Sequence, residues 1–258
     1  RRDASQWANS APILFPIVGA LKNDTCVING KEYHMTQHGF ARHNEFETNQ
    51  VSDTEVIFSL KSNDEIIKQY PFLFELNVTY RLVENKLTCH IEVKNTDHQP
   101  IYFQVGGHPA FACPFMENES SNDYYLEFSE NETCNRKIID VEKRGMSRVE
   151  KPFFDNEKRF FVRQELFNTD AIVIKKFKSE NIALKSLNHD KSIVFHMNGF
   201  DHVGLWAAKH VGGLIAIEPW VGHADYTDFN GEFKEKESCV ELPVGKNFEV
   251  EFAVEINQ

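Results

Sequence analysis

An all-β fold is predicted from three observations: strict alternation of apolar and polar residues, turn-rich tripeptides between short apolar runs, and scarce helical periodicity. The alternation is clearest at Phe74, Leu76, Val78, Tyr80 and Leu82, which are separated by Glu75, Asn77, Thr79 and Arg81. It turns at Glu84-Asn85-Lys86 and resumes with Leu87, Cys89, Ile91 and Val93, the pattern of a hairpin with one buried face. Phe248, Val250, Phe252, Val254 and Ile256 repeat it near the end of the chain.

Shorter strands are expected, in order, at residues 56–60, 101–105, 124–128, 171–175, 182–186, 192–196, 203–207 and 214–217. Ser62-Asn63-Asp64, Asn95-Thr96-Asp97, Asn188-His189-Asp190 and Asn198-Gly199 supply turns between them. Only 155–166 carries a weak helical pattern, while 117–123 reads as a surface loop and 142–158 as a longer surface excursion. Many short strands without strand–helix alternation indicate a large β-sandwich. No repeat or linker divides the chain, so residues 1–258 are expected to form one domain.

The 28 basic and 39 acidic residues leave a net charge of −11, which disfavours nucleic acid and anionic membranes as partners. Five scattered cysteines without a CxxC pair point to neither a disulfide framework nor a zinc ribbon, and favour a reducing, cytoplasmic setting. No apolar run approaches the roughly 20 residues of a membrane span. His34 and His38 have the spacing of a helical metal pair, but no Glu follows His34. Eleven histidines without a compact ligand cluster imply no metal, and no cofactor fingerprint is present.

Gly106-Gly107-His108-Pro109 follows the strand-like Ile101–Val105 run and presents an imidazole at a strand end. Its pKa near 6.5 suits it to proton transfer, although it could also be a structural histidine capping a turn. Glu218 ends the apolar run Leu214-Ile215-Ala216-Ile217, on a face otherwise apolar, where a carboxylate is costly unless paired or used. It could instead escape to solvent at the strand end. Trp220 supplies an aromatic surface for a sugar ring, or a core side chain. His38 and Arg42 offer donors, unless Arg42 is a solvated partner of Glu45 or Glu47. Asp170 could accept from hydroxyls or cap a turn.

Together and in this order, Pro12–Gly19, Gln37-His38-Gly39-Phe40-Ala41-Arg42, Gly106-Gly107-His108-Pro109-Ala110-Phe111, Gly204-Leu205-Trp206 and Ile217-Glu218-Pro219-Trp220 resemble the aldose 1-epimerase (mutarotase) superfamily, and within it the bacterial LacX-type branch. The resemblance implies a β-supersandwich of large antiparallel sheets that binds a sugar on a concave face. It places the catalytic acid at His108, the catalytic base at Glu218 and substrate contacts at His38, Arg42 and Asp170, with Trp206 or Trp220 packed on the ring. Only about ten residues precede Pro12, fewer than the family usually carries, so the first strands are expected to lie outside this sequence. The partner is a small sugar, the protein a monomer or homodimer, and the reaction ring opening and closure of an aldohexose. A hexose-6-phosphate 1-epimerase and a non-catalytic sugar-binding protein are the alternatives.

Overall fold

Antiparallel strands make up most of the chain in the computed structural model, which describes residues 7–207 and 213–258. Fifteen of the described strands belong to one hydrogen-bonded sheet, beside two two-stranded ladders. The sheet runs from Ile13–Leu14 through Val105–Gly107, Leu214–Val221, His202–Ala207, Ile172–Lys175 and Tyr124–Asp140 to Asn181–Ser186. It continues through Ser192–Asn198, Asn247–Asn257, Lys86–Asn95, Phe74–Val83 and Glu55–Lys61 to Glu47–Ser52. A sheet this long must curl, and its aromatic contacts show that it folds over itself. Phe15, just after the first strand in this order, lies 4.9 Å from Phe74, which opens the eleventh. Phe111, on a short strand paired with Leu214–Val221, meets Phe195 of Ser192–Asn198 at 6.2 Å. The two inner faces therefore share one core, rich in phenylalanine.

The predicted hairpin forms with Phe74 opposite Asn95 and Val83 opposite Lys86. Phe74, Leu76, Val78, Cys89, Ile91 and Val93 are buried as their alternation requires. Leu82 and Leu87, paired at the turn end of the ladder, are not, at 46% and 42% exposed. The other strands expected from the sequence form, except that 101–105 breaks at Gln104 into Ile101–Phe103, paired with Val240–Leu242, and Val105–Gly107 of the large sheet. Tyr124–Asp140 and Leu214–Val221 extend well beyond the apolar runs that signalled them.

Two expectations are overturned. Residues 142–158 are not a loose excursion: Gly145–Phe161 is a strand paired along Tyr124–Asp140, with several register shifts. The weak helix at 155–166 is absent too. The strand continues to Phe161, and only the 3₁₀ turn Gln164–Phe167 follows. Most of Gly145–Phe161 is exposed on both faces, so it has no buried face to impose the period-two signal. No described helix is long and apolar enough to cross a membrane.

Candidate active site

His108 leaves the Val105–Gly107 strand beside the Leu214–Val221 strand, with Gly106 opposite Trp220. The two glycines serve close packing of protein against protein. A Cβ on Gly106 would lie 2.7 Å from the Pro219 carbonyl oxygen, and one on Gly107 would lie 2.8 Å from Phe252 Cε1. The His108 amide donates to the Pro12 carbonyl at 3.1 Å, which fixes the residue against the first strand segment.

Glu218 stands mid-strand opposite Gly204 and is only 2% exposed, so the escape to solvent that the sequence left open is excluded. Its Oε2 lies 3.2 Å from His108 Nε2. The two positions, 110 apart in the sequence, are thus joined by the sheet, which brings a strand end and a mid-strand position to one cavity. Glu218 Oε2, His108 Nδ1 and the Trp220 indole nitrogen are buried without a hydrogen-bond partner among the described protein groups. Buried polar atoms left with spare bonding capacity call for an explanation, and a ligand supplies one.

The cavity has a volume of about 360 Å³, within the ordinary range for small-molecule sites. His38, Arg42, Asp170, Trp206 and Trp220 all line it with the pair, so every site residue expected from the sequence reaches one place. His38 and Asp170 both adopt left-handed backbone, at φ 66° and 81°, which is uncommon for side chains with a Cβ. His38 Nδ1 accepts from the Gly19 amide at 3.1 Å. A neutral His38 must then carry its proton on Nε2, where it can donate to a ligand. Asp170 is exposed, and one of its carboxylate oxygens accepts from the Ala171 amide at 2.7 Å. Trp220 is mostly core: a Cβ on Gly204 would sit 2.6 Å from its ring, and it packs among Leu14, Val18, Met146, Val173 and Tyr226.

Trp7 escaped the sequence reading altogether. Its ring stacks on His108 at 4.6 Å and 29°, and Trp206 meets His108 edge-on at 5.9 Å. A lone tryptophan in a polar N-terminal stretch has no periodicity to mark it. The chain's three tryptophans all line this cavity.

Burial dominates the electrostatics. It pushes the Glu218 carboxyl well above the usual carboxylate range, and the negative Asp170 adds to the effect. Burial pushes the His108 imidazole down to about 4, with Arg42 acting in the same sense. His38 falls to about 3, through burial first and then the neighbouring His108 and Arg42. Burial thus disfavours charge on both members of the pair.

The family described as Aldose 1-epimerase matches residues 2–241 of this chain. Protein LacX (plasmid) of Lactococcus lactis subsp. lactis is 35% identical over 234 residues, covering 85% of this chain and 76% of that protein. The solved structure of a galactose mutarotase related enzyme from Lactobacillus acidophilus superposes with a TM-score of 0.93 at 30% identity, covering 99% of this chain and 85% of the other. A galactose mutarotase-like protein from Lactobacillus casei superposes with a TM-score of 0.90, also at 30% identity, covering 99% and 87%.

Proposed function

The chain belongs to the aldose 1-epimerase family, and on that premise we propose that it interconverts the α and β anomers of an unphosphorylated aldohexose. The observation that carries this reading is the 3.2 Å approach of His108 Nε2 to Glu218 Oε2 inside the cavity. The hydroxyl and ring oxygens of a hemiacetal share one carbon, so the groups that exchange protons with them must stand side by side.

In the proposed cycle the one proton the pair holds sits on His108 Nε2 when the sugar is bound. Glu218, as a carboxylate, takes the proton of the C1 hydroxyl while His108 Nε2 protonates the ring oxygen. The C1–O5 bond breaks with its electron pair going to O5, leaving an aldehyde. After rotation about C1–C2, the O5 hydroxyl attacks the other face of the carbonyl. His108 recovers the O5 proton, and Glu218 returns its proton to O1. Proton count and charge are the same at the end as at the start, and each positioned group contributes about 10²–10⁴-fold. His38 Nε2–H, Arg42 and Asp170 orient hydroxyls, and the Trp206 face packs against ring C–H groups.

The charge around the cavity favours a free sugar over a sugar phosphate. Arg42 and Arg144 are its only cationic lining side chains among the described residues, and Arg144 already holds both Asp24 oxygens at 2.9 and 3.1 Å. Polarimetry of freshly dissolved α-glucose, α-galactose and glucose 6-phosphate tests the reading. Faster equilibration of a free aldose is expected. Preference for the phosphate would overturn the substrate assignment. Tryptophan quenching by sugars without any rate gain would show a binding protein instead.

The pair holds one proton when active, so the pH profile should be a bell. Its acid limb falls as a second proton is added near pH 4, where His108 titrates. Its alkaline limb marks loss of the last proton from Glu218. Asp170→Asn removes a negative charge that raises Glu218, so that limb should move to lower pH. An alkaline limb that stays in place would separate Asp170 from the pair.

A further inference from the structure

Below Trp220, away from the sugar cavity, three side chains from distant parts of the sequence converge. His202 opens the His202–Ala207 strand, His223 follows the Leu214–Val221 strand, and Glu237 lies beyond the Phe233–Glu235 turn. One ligand atom from each lies within 4.8 Å of the others, the compact cluster that the sequence reading expected to be missing. None of the three lines the cavity of the catalytic pair.

The protonation pattern is legible from the hydrogen bonds. His202 Nδ1 sits 2.7 Å from an Asp201 carboxylate oxygen, and His223 Nδ1 sits 2.6 Å from the Ala224 carbonyl oxygen. Both partners can only accept, so both Nδ1 atoms carry a proton, and in the neutral ring each Nε2 then presents a lone pair. The two rings are 0% and 2% exposed, and neither Nε2 has a hydrogen-bond partner among the described protein groups. An imidazole whose Nδ1–H is held by a carboxylate or a backbone carbonyl, with Nε2 facing a neighbouring carboxylate, is the arrangement that supports metal ligation.

We propose that His202, His223 and Glu237 bind a divalent transition-metal cation of the zinc type, two imidazole nitrogens and one carboxylate oxygen leaving a fourth position for water. His223 Nε2 lies 3.5 Å from Glu237 Oε2, close to the edge of roughly 3.4 Å expected for a tetrahedron with metal–ligand bonds of about 2.0–2.1 Å. Lys175 engages Glu237 Oε1, while Oε2 faces His223 and accepts from Tyr226 at 2.5 Å.

Such a metal would pin the start of one strand to the segment carrying Ala224 and Tyr226. Ala224 lines the sugar cavity and Tyr226 packs against Trp220, so the ion would brace the cavity from behind without touching the reacting atoms.

The test uses the whole chain, stripped by dialysis against a chelator and titrated with Zn²⁺ in competition with a chromophoric chelator. One equivalent is expected to bind tighter than micromolar and to raise Tm by about 5–10 °C at a hundredfold excess over Kd. Co²⁺ should give the visible absorption of a four-coordinate site. Both signals should vanish in His223→Gln and Glu237→Gln and persist in His108→Asn, which separates this cluster from the catalytic pair. Absence of stoichiometric binding to the wild-type chain overturns the proposal without reference to any variant's folding. Binding that survives both substitutions overturns it equally.

Discussion

In polarimetry of α-glucose or α-galactose, Glu218→Gln and His108→Asn are each expected to lose roughly 10²–10⁴-fold of the protein-dependent rate. The double variant should fall little further, because a proton donor without its acceptor already leaves the cycle broken. Glu218→Gln is the cleaner probe. The carboxyl it replaces is buried, and the amide keeps its shape without bringing in a charge. Its Tm should stay near that of the wild-type chain while its rate collapses, a separation that damage to the fold would not give. His108→Asn removes a ring stacked on Trp7, so some loss of stability is expected alongside the kinetic effect. Undiminished rates in both variants would sink the mechanism, and loss in one alone would sink the pairing.

Strands that bury one face announced themselves, and strands that bury neither did not. Phe74–Val83 and Lys86–Asn95 wrote their alternation into the sequence because one side meets the core. Glu47–Ser52, exposed along its whole length, wrote nothing, and neither did most of Gly145–Phe161. The site divides along a similar line. His108 was visible through Gly106-Gly107 and Pro109, since backbone crowding demands special residues nearby in sequence. Glu218 was visible as a carboxylate breaking an apolar strand. Trp7 reaches His108 through the tertiary fold alone, and His202, His223 and Glu237 come from three separate turns and strands with no fixed spacing. Protonation was the least legible property, because it depends on how deeply the fold buries the pair and not on which residues form it.

Gly39→Ala is expected to be the most destabilising single-methyl change around the cavity, for two reasons that add. Gly39 has φ +72°, where an alanine costs about 1–2 kcal/mol. Its new Cβ would also fall 2.2 Å from the Phe15 carbonyl oxygen and 2.6 Å from the carbonyl carbon, both backbone atoms that cannot rotate away. Overpacking of this kind costs about a further 1–3 kcal/mol. At roughly 2–4 °C per kcal/mol, Tm should drop by about 4–20 °C. Gly30→Ala isolates the conformational part. Gly30 has φ +74° but nothing within 4 Å of the added methyl, so its drop should be about half as large or less. The two variants should differ in function as well. The Phe15 carbonyl also accepts from the Ala41 amide at 3.2 Å, and His38 is tied to Gly19 through its amide at 2.8 Å and its Nδ1 at 3.1 Å. Moving Gly39 off Phe15 therefore displaces His38, and KM should rise in Gly39→Ala and hold steady in Gly30→Ala. Equal melting temperatures for the two variants would show that the 36–41 segment yields freely, and that His38 is not held where the sugar needs it.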